Sequence, residues 1–307
     1  MAKDYDVLII GGGPAGLTAG LYCTRDRLRT TLLERGAIGG KILNAALVEN
    51  YPGFPEGISG YDLTELMYQQ AIKHGLETTA TTVAGIEFQG DNKLVKTDQG
   101  DYQSRAIIVA GGSELSKLGV PGEETLVGRG VSYCATCDGP LFSEQVVAVV
   151  GGGNAAVSEA LHLTQFASRV VLIHRRAELR ASRILQERAM SHPRIETLWE
   201  TVVEEIHGNH QVERVKLRNV KTGQHSDLEI AGIFIMVGLK PNTDYLRPLL
   251  KLDDAGHVMV NERMETNVPG IYAAGDIRHN SIRQVIAAAG DGAVAAFFAE
   301  SFVRGHS

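Results

Sequence analysis

Two glycine-rich stretches, Gly11-Gly12-Gly13-Pro14-Ala15-Gly16 and Gly151-Gly152-Gly153-Asn154-Ala155-Ala156, restrict this chain more than any other feature. Each follows a short apolar run, Asp6–Ile10 and Val146–Val150, and each opens a segment with helical periodicity. A second short strand comes next in both cases, Thr30–Glu34 and Arg169–Ile173. Strand, tight turn, helix and strand form the unit that binds a dinucleotide. In the first copy Gly11 permits the turn, Gly13 lets the backbone approach a pyrophosphate, and Gly16 allows close packing of helix on strand. The second copy repeats the module with Ala156 for the third glycine, so the chain binds two dinucleotides, or one beside a degenerate copy.

The copies differ where specificity is set. Glu34 ends the second strand of the first copy, about twenty residues past the first glycines, and can accept from a ribose 2′-hydroxyl. The second copy has His174-Arg175-Arg176 there, followed by Arg180 and Arg183. A carboxylate repels a 2′-phosphate, whereas guanidinium groups bind one through charge-assisted contacts. The second site is therefore expected to take NADPH rather than NADH.

Just before the second copy lies Tyr133-Cys134-Ala135-Thr136-Cys137-Asp138-Gly139-Pro140. A structural zinc needs four ligands, and no second cysteine pair accompanies this one. The pair reads instead as a redox dithiol, in which one thiol resolves the mixed disulfide made by the other. A carboxylate raises the pKa of a nearby thiol, so Asp138 suits proton transfer rather than thiolate stabilisation. Cys23, the third cysteine, sits among apolar residues and reads as a buried small side chain.

Composition bounds the partners. A net charge of −6 speaks against general nucleic-acid binding. No signal-peptide pattern opens the chain, and no uninterrupted apolar run approaches the roughly 18 residues of a membrane helix. With a redox pair rather than a disulfide framework, a cytoplasmic protein is expected.

The remaining chain reads as follows. Tyr61–His74 is an amphipathic helix, and Thr82–Phe88, Lys93–Thr97 and Ala106–Val109 are strands of a small antiparallel meander with Gly90-Asp91-Asn92 at one turn. Thr201–Val220 and Leu228–Val237 look like strands. Pro269–Asp276 is a strand ending in Gly275-Asp276, before a final alanine-rich helix from Val285. An aspartate there can accept from sugar or ribityl hydroxyls, or simply cap the helix.

Taken together, these motifs identify a resemblance. Gly11–Gly16, Glu49-Asn50-Tyr51-Pro52-Gly53, Cys134-Ala135-Thr136-Cys137-Asp138, Gly151–Ala156, His174-Arg175-Arg176, Ala274-Gly275-Asp276 and Arg283-Gln284 occur in the order seen in low-molecular-weight thioredoxin reductases. The resemblance covers essentially the whole length. It implies an α/β fold of two Rossmann-like domains, the second inserted into the first and each with an antiparallel meander. Residues 1–113 and 245–307 would bind FAD, and residues 114–244 would bind NADPH and carry the cysteine pair.

It further implies that Gly11, Gly13, Pro14, Ala15, Gly16, Glu34, Gly40, Asn50, Gly275, Asp276, Arg283 and Gln284 contact FAD. Gly151, Gly153, Asn154, Ala155, His174, Arg175, Arg176 and Arg180 would contact NADPH. Hydride would pass from NADPH to FAD and electrons then to the Cys134–Cys137 disulfide. Cys137 would lie nearer the flavin, Cys134 would attack the disulfide of thioredoxin or a thioredoxin-like protein, and Asp138 would be the acid/base. A homodimer is implied. Because the nicotinamide site and the cysteine pair both fall in the inserted domain yet must meet one flavin, that domain is expected to rotate about segments near 113–123 and 238–244. A flavin-dependent dithiol oxidase is the nearest alternative, and the arginine cluster argues against it. The chain departs from the family pattern at Lys41, at Val109-Ala110-Gly111-Gly112 and at Pro140-Leu141.

Overall fold

The computed structural model describes residues 2–45, 47–90 and 92–305; Asp91, in the turn expected at 90–92, lies outside them. The chain forms two compact units, Met1–Glu114 with Lys240–Ser307, and Leu115–Leu239.

The first unit begins β1 (Lys3–Ile10), α1 (Pro14–Arg25), β2 (Thr30–Glu34), α2 (Gly60–Lys73), β3 (Glu77–Ala80), β4 (Val83–Gln89), β5 (Asn92–Thr97) and β6 (Tyr102–Val109). Strand β1 pairs in parallel with β2 and β6 and is central to the sheet. Its side chains alternate between two apolar layers: Val7 and Ile9 face the core containing α1, while Leu8 and Ile10 face the layer with Leu246 and Val258. Burial on both faces explains why the strand reads as continuously apolar rather than alternating. Strand β6 splits its partners. Tyr102–Ser104 pair antiparallel with β5, and Ile107–Val109 pair in parallel with the strand at Ile271–Ala273. The meander is built onto the parallel sheet through this shared strand, but Ala106–Val109, expected within the meander, pair in parallel, and Tyr102–Ser104 make the antiparallel edge instead.

The chain leaves through β7 (Ser113–Leu115). The second unit holds β8 (Val131–Ser132), α3 (Ala135–Asp138), β9 (Val146–Gly151), α4 (Asn154–Leu163), β10 (Arg169–Ile173), α5 (Arg183–Ser191), β11 (Ile195–Leu198), β12 (Thr201–His207), β13 (Arg214–Asn219), β14 (His225–Glu229) and β15 (Gly232–Met236). Its parallel sheet has the order β11-β10-β9-β15-β8, and β12-β13-β14 form a separate antiparallel sheet. Val147 and Val149 of β9 face the layer with α4, whereas Ala148 and Val150 face the antiparallel strands. The chain returns through β16 (Leu239–Pro241), which pairs with β7, to β17 (Ile271–Ala273) and α6 (Val285–Arg304).

Among the described residues α6 is the one helix long and apolar enough to cross a membrane. Asp291 and Glu300 interrupt its apolar run, and Asp291 is buried against Arg278. Small residues Gly292, Ala295, Ala296 and Ala299 are the buried face that packs in the first unit's core. The helix is a core element by that packing.

Candidate active site

Cys134 and Cys137 form a disulfide whose Cα atoms are 5.4 Å apart, spanning the short helix α3. Cys134 is the N-cap of that helix, and the Cys137 N–H donates to Cys134 Sγ at 3.1 Å. Cys137 is exposed and Cys134 is half-buried. The buried hydroxyl of Ser132 ties the segment together. It accepts from the Cys134 N–H at 3.0 Å and donates to Asp138 Oδ2 at 2.6 Å. Asp138 is thereby linked to the Cys134 backbone through Ser132.

Two further carboxylates hold this segment, and neither was visible as a motif. Glu123, buried, accepts from the Leu118 and Gly119 N–H groups and from the Tyr133 hydroxyl at 2.8 Å. Burial and that carboxylate push the Tyr133 hydroxyl pKa well up. Glu159 of α4 accepts from the Ala135 N–H at 2.6 Å. Burial pushes its carboxyl pKa up, and the Ala135 N–H opposes the shift.

In the same unit β9 ends at Gly151, whose φ of 153° favours glycine. A side chain there would meet Met236 O at 2.5 Å. Gly153 starts α4 without a side-chain cap, and a Cβ on it would meet nothing within 4 Å. With no side-chain cap and with Asn154 and Ala155 exposed, the first turn of α4 leaves its N–H groups without a side-chain partner among the described residues, as an anion site requires. The loop after β10 is drawn onto this turn. The Arg180 N–H donates to Gly152 O at 2.6 Å, and the Ser182 N–H donates to Asn154 Oδ1 at 2.7 Å.

Arg175, Arg176 and Arg180 are exposed, and no ion pair engages them among the described residues. His174 is placed differently. It is buried, its Nε2 lies 2.9 Å from Glu178 O, and its ring fills the space behind Gly152. It supports the loop from beneath.

In the first unit, Gly11 has φ 111°, and a Cβ on it would meet Ala110 O at 2.3 Å. A Cβ on Gly16 would lie 1.9 Å from Gly11 O, which is the close helix–strand approach expected of that position. Gly13 precedes α1, again without a side-chain cap, with Pro14 and Ala15 in the first turn; its nearest neighbour across the gap is Gly40. Glu34 accepts from the Gly12 N–H at 2.6 Å and from the Gly36 N–H at 2.8 Å.

Beside Glu34 opens a cleft of about 300 Å³ lined by Gly11, Leu33, Thr82, Gly111 and Tyr245. The Tyr245 hydroxyl is buried there with no hydrogen-bond partner among the described residues. An unsatisfied hydroxyl in a cleft is a costly arrangement unless a ligand meets it. Cys23, by contrast, is fully buried in α1, its thiol pushed up to about 12 by burial.

The carboxyl end of β17 carries the other group of expected residues. Gly275 and Asp276 form a tight turn there, and the Gly275 N–H donates to Asp291 Oδ2 at 3.1 Å. Asp291 also takes two guanidinium hydrogen bonds from Arg278, at 2.6 and 2.8 Å. Asp276 Oδ2 lies 3.7 Å from Lys41 Nζ, which donates to Ser113 Oγ at 2.7 Å. Burial lowers the Lys41 pKa, with Asp276 opposing the shift. Asn50 donates to Gln284 Oε1 at 2.8 Å, joining two segments that were distant in sequence. Arg283 adopts a left-handed φ of 57° just before α6. Asp291, Arg278 and Tyr245 were not anticipated; the Gly290-Asp291-Gly292 run inside an alanine-rich helix is the signal for the first of them.

Comparison with known proteins agrees with this geometry. The profile of the pyridine nucleotide-disulphide oxidoreductase family matches residues 5–292. The chain is 45% identical to the thioredoxin reductase of Bacillus subtilis over 303 residues, covering 98% of this chain and 96% of that one. It superposes on the crystal structure of Lactococcus lactis thioredoxin reductase with a TM-score of 0.96 at 45% identity, over 98% of this chain and 99% of the other. The thioredoxin reductase of T. acidophilum gives a TM-score of 0.94 at 32% identity, over 99% and 100% of the two chains.

Proposed function

The chain belongs to the pyridine nucleotide-disulphide oxidoreductase family, and from that premise we propose that it is a thioredoxin reductase using NADPH and FAD. The observation that carries the proposal is the Cys134–Cys137 disulfide, held with Asp138 in the unit that also bears the arginine loop.

The residues suit both dinucleotides. In the first unit the uncapped start of α1 at Gly13 would receive the FAD pyrophosphate. Glu34 and the unsatisfied Tyr245 hydroxyl border a cleft for its adenosine end, and Asp276, Arg283, Asn50 and Gln284 supply polar groups for the rest. In the second unit Gly153 would receive the NADPH pyrophosphate, and Arg175, Arg176 and Arg180 its 2′-phosphate. His174 would act on this site by supporting Gly152. Bound together, the two groups supply hydride chemistry that delivers two electrons to the disulfide.

Those two electrons break the Sγ–Sγ bond and leave a dithiol, and in this reading Asp138, which accepts from the Ser132 hydroxyl, carries a proton to or from it. A thiolate of the pair then attacks a partner disulfide and forms a mixed disulfide. The second thiol resolves that bond, releasing the partner as a dithiol and restoring Cys134–Cys137. Cys137 is the more exposed residue of the two, so in this proposal it meets thioredoxin and Cys134 resolves, the reverse of the assignment the resemblance implies. Such reducing work suits the cytoplasm. A homodimer is proposed on the exposed apolar side chains Tyr61 and Leu66 of α2 and Ile286 and Phe297 of α6.

The test is NADPH oxidation with thioredoxin by wild type, Cys134→Ser and Cys137→Ser. Both variants are expected to lose turnover, and Cys134→Ser is expected to trap thioredoxin through Cys137. Turnover at the wild-type rate in either variant sinks the mechanism; trapping only by Cys137→Ser restores the opposite roles.

A further inference from the structure

One hydrogen bond ties the cysteine segment to a side chain of helix α4. Glu159 Oε2 accepts from the Ala135 N–H at 2.6 Å, the first N–H after Cys134. Such a bond uses an orphan donor of the short helix that bears the disulfide. It also brings a carboxylate within one residue of a sulfur. The same helix α4 starts at the second glycine turn, where Asn154 holds the arginine loop through the Ser182 N–H. One rigid strut thus fixes both the loop expected to bind the 2′-phosphate and the sulfur pair.

The other groups around the pair are engaged elsewhere. Asp138 takes the Ser132 hydroxyl, Glu123 takes the Tyr133 hydroxyl, and His162, farther along α4, turns its ring to Phe166 at 5.5 Å. Glu159 alone among these carboxylates is bonded to the backbone within α3.

We propose that Glu159 is a positioning residue that sets the redox poise of the Cys134–Cys137 pair. Its carboxylate anchors α3 through Ala135 and disfavours the thiolates formed when two electrons open the disulfide. A negative charge raises a neighbouring thiol pKa. Weaker stabilisation of the thiolates makes the reduced pair a stronger reductant, which is the direction a disulfide reductase requires. The purpose assigned here rests on the disulfide-reductase reading, but the test does not.

Three variants of the full-length holoenzyme separate the contributions. Glu159→Gln keeps an oxygen to accept the Ala135 N–H and removes the charge. Glu159→Ala removes both, and Glu159→Asp keeps the charge on a shorter stem. Two quantities are read with small reagents only: the pH midpoint for alkylation of the reduced pair by iodoacetamide, and its equilibrium with dithiothreitol.

In Glu159→Gln the midpoint is expected to fall by about one pH unit. The equilibrium, read above the midpoints of both proteins, should move about tenfold toward the reduced pair, equivalent to about 30 mV. Glu159→Asp should stay closer to wild type than Glu159→Gln does. A shift in Glu159→Ala without one in Glu159→Gln overturns the electrostatic role, and unchanged values in all three overturn the proposal. Loss of fold in Glu159→Gln with a wild-type midpoint and equilibrium in Glu159→Ala also overturns it. Because neither thioredoxin nor NADPH enters these measurements, failure of the proposed function would leave their outcome unaffected.

Discussion

The two glycine turns share a backbone and differ in what stands behind it. Behind Gly12 stands Glu34, accepting N–H groups from Gly12 and Gly36. Behind Gly152 stands the His174 ring, with Cε1 2.2 Å from where a Cβ on that glycine would lie. The third position differs as well. A Cβ at Gly16 would strike Gly11 O at 1.9 Å, whereas Ala156 already carries its methyl group, fully buried, beside Gly151. The first helix must press its backbone onto the strand end, and the second stands one methyl group away. The same module therefore tolerates different spacing and different charge as long as the phosphate-facing start of the helix remains uncapped.

Exchanging the third residues gives the largest expected effect. In Gly16→Ala a methyl group meets backbone that has no room to withdraw, and overpacking of this kind costs about 3 kcal/mol or more. The first unit is expected to unfold at lower temperature and to lose the FAD proposed to bind there. Ala156→Gly costs about 1–2 kcal/mol, from helix propensity and one lost methyl group. Thermal unfolding with flavin release compares the two, and equal losses would show that the helix–strand spacings are not what separates the copies.

Charge gives the next effect. Arg175→Ala with Arg176→Ala removes two exposed guanidinium groups from the loop pinned on Gly152. Each charge-assisted contact to a phosphate is worth about 1.5–3 kcal/mol, so losing two should raise KM for NADPH by roughly a hundredfold or more while KM for NADH changes little. Steady-state kinetics with both reductants is the measurement. An equal rise for NADH would mean that the loop holds a group common to both and not the 2′-phosphate.

Much of the fold was legible because its signals are local. The turn glycines, the apolar strands before them and the acid or arginines after them lie within one β-α-β unit each, and the Cys134–Cys137 spacing is read directly. Helix α5 escaped because it is only nine residues long, with Ala189 its one fully buried residue and Ile184 and Met190 exposed. Glu159 and Asp291 escaped for another reason: their partners are the Ala135 N–H, 24 residues away, and the Gly275 N–H, 16 residues away. A carboxylate on a helix looks the same in sequence whether it faces solvent or a backbone donor. His174 shows the reverse case, a residue grouped with two exposed arginines by adjacency and parted from them because its backbone is still bonded to Leu198 and Thr201 just past the strand end, whereas Arg175 and Arg176 lie in the bend that follows.

That burial gives the smallest effect and the most direct test of the comparison. Desolvation lowers the His174 pKa, with Glu178 O and Gly151 opposing it and the neighbouring Arg180 and Arg176 adding to it. The unfolded chain therefore takes up the proton more readily than the folded one. The stability contributed by neutral His174 is fully present above the unfolded histidine pKa of about 6.5, and it is lost as pH falls from there through the depressed folded value. The second unit should lose thermal stability as pH falls below that point, and His174→Gln, which cannot titrate, should lose less. Glu34 occupies the equivalent place in the first unit and accepts two N–H groups instead, so Glu34→Gln should not alter the slope of the second unit's unfolding over that range. Calorimetric scans of the three proteins between pH 7 and pH 5 decide the matter, and parallel slopes for wild type and His174→Gln would show that the ring behind Gly152 is not held neutral by its burial.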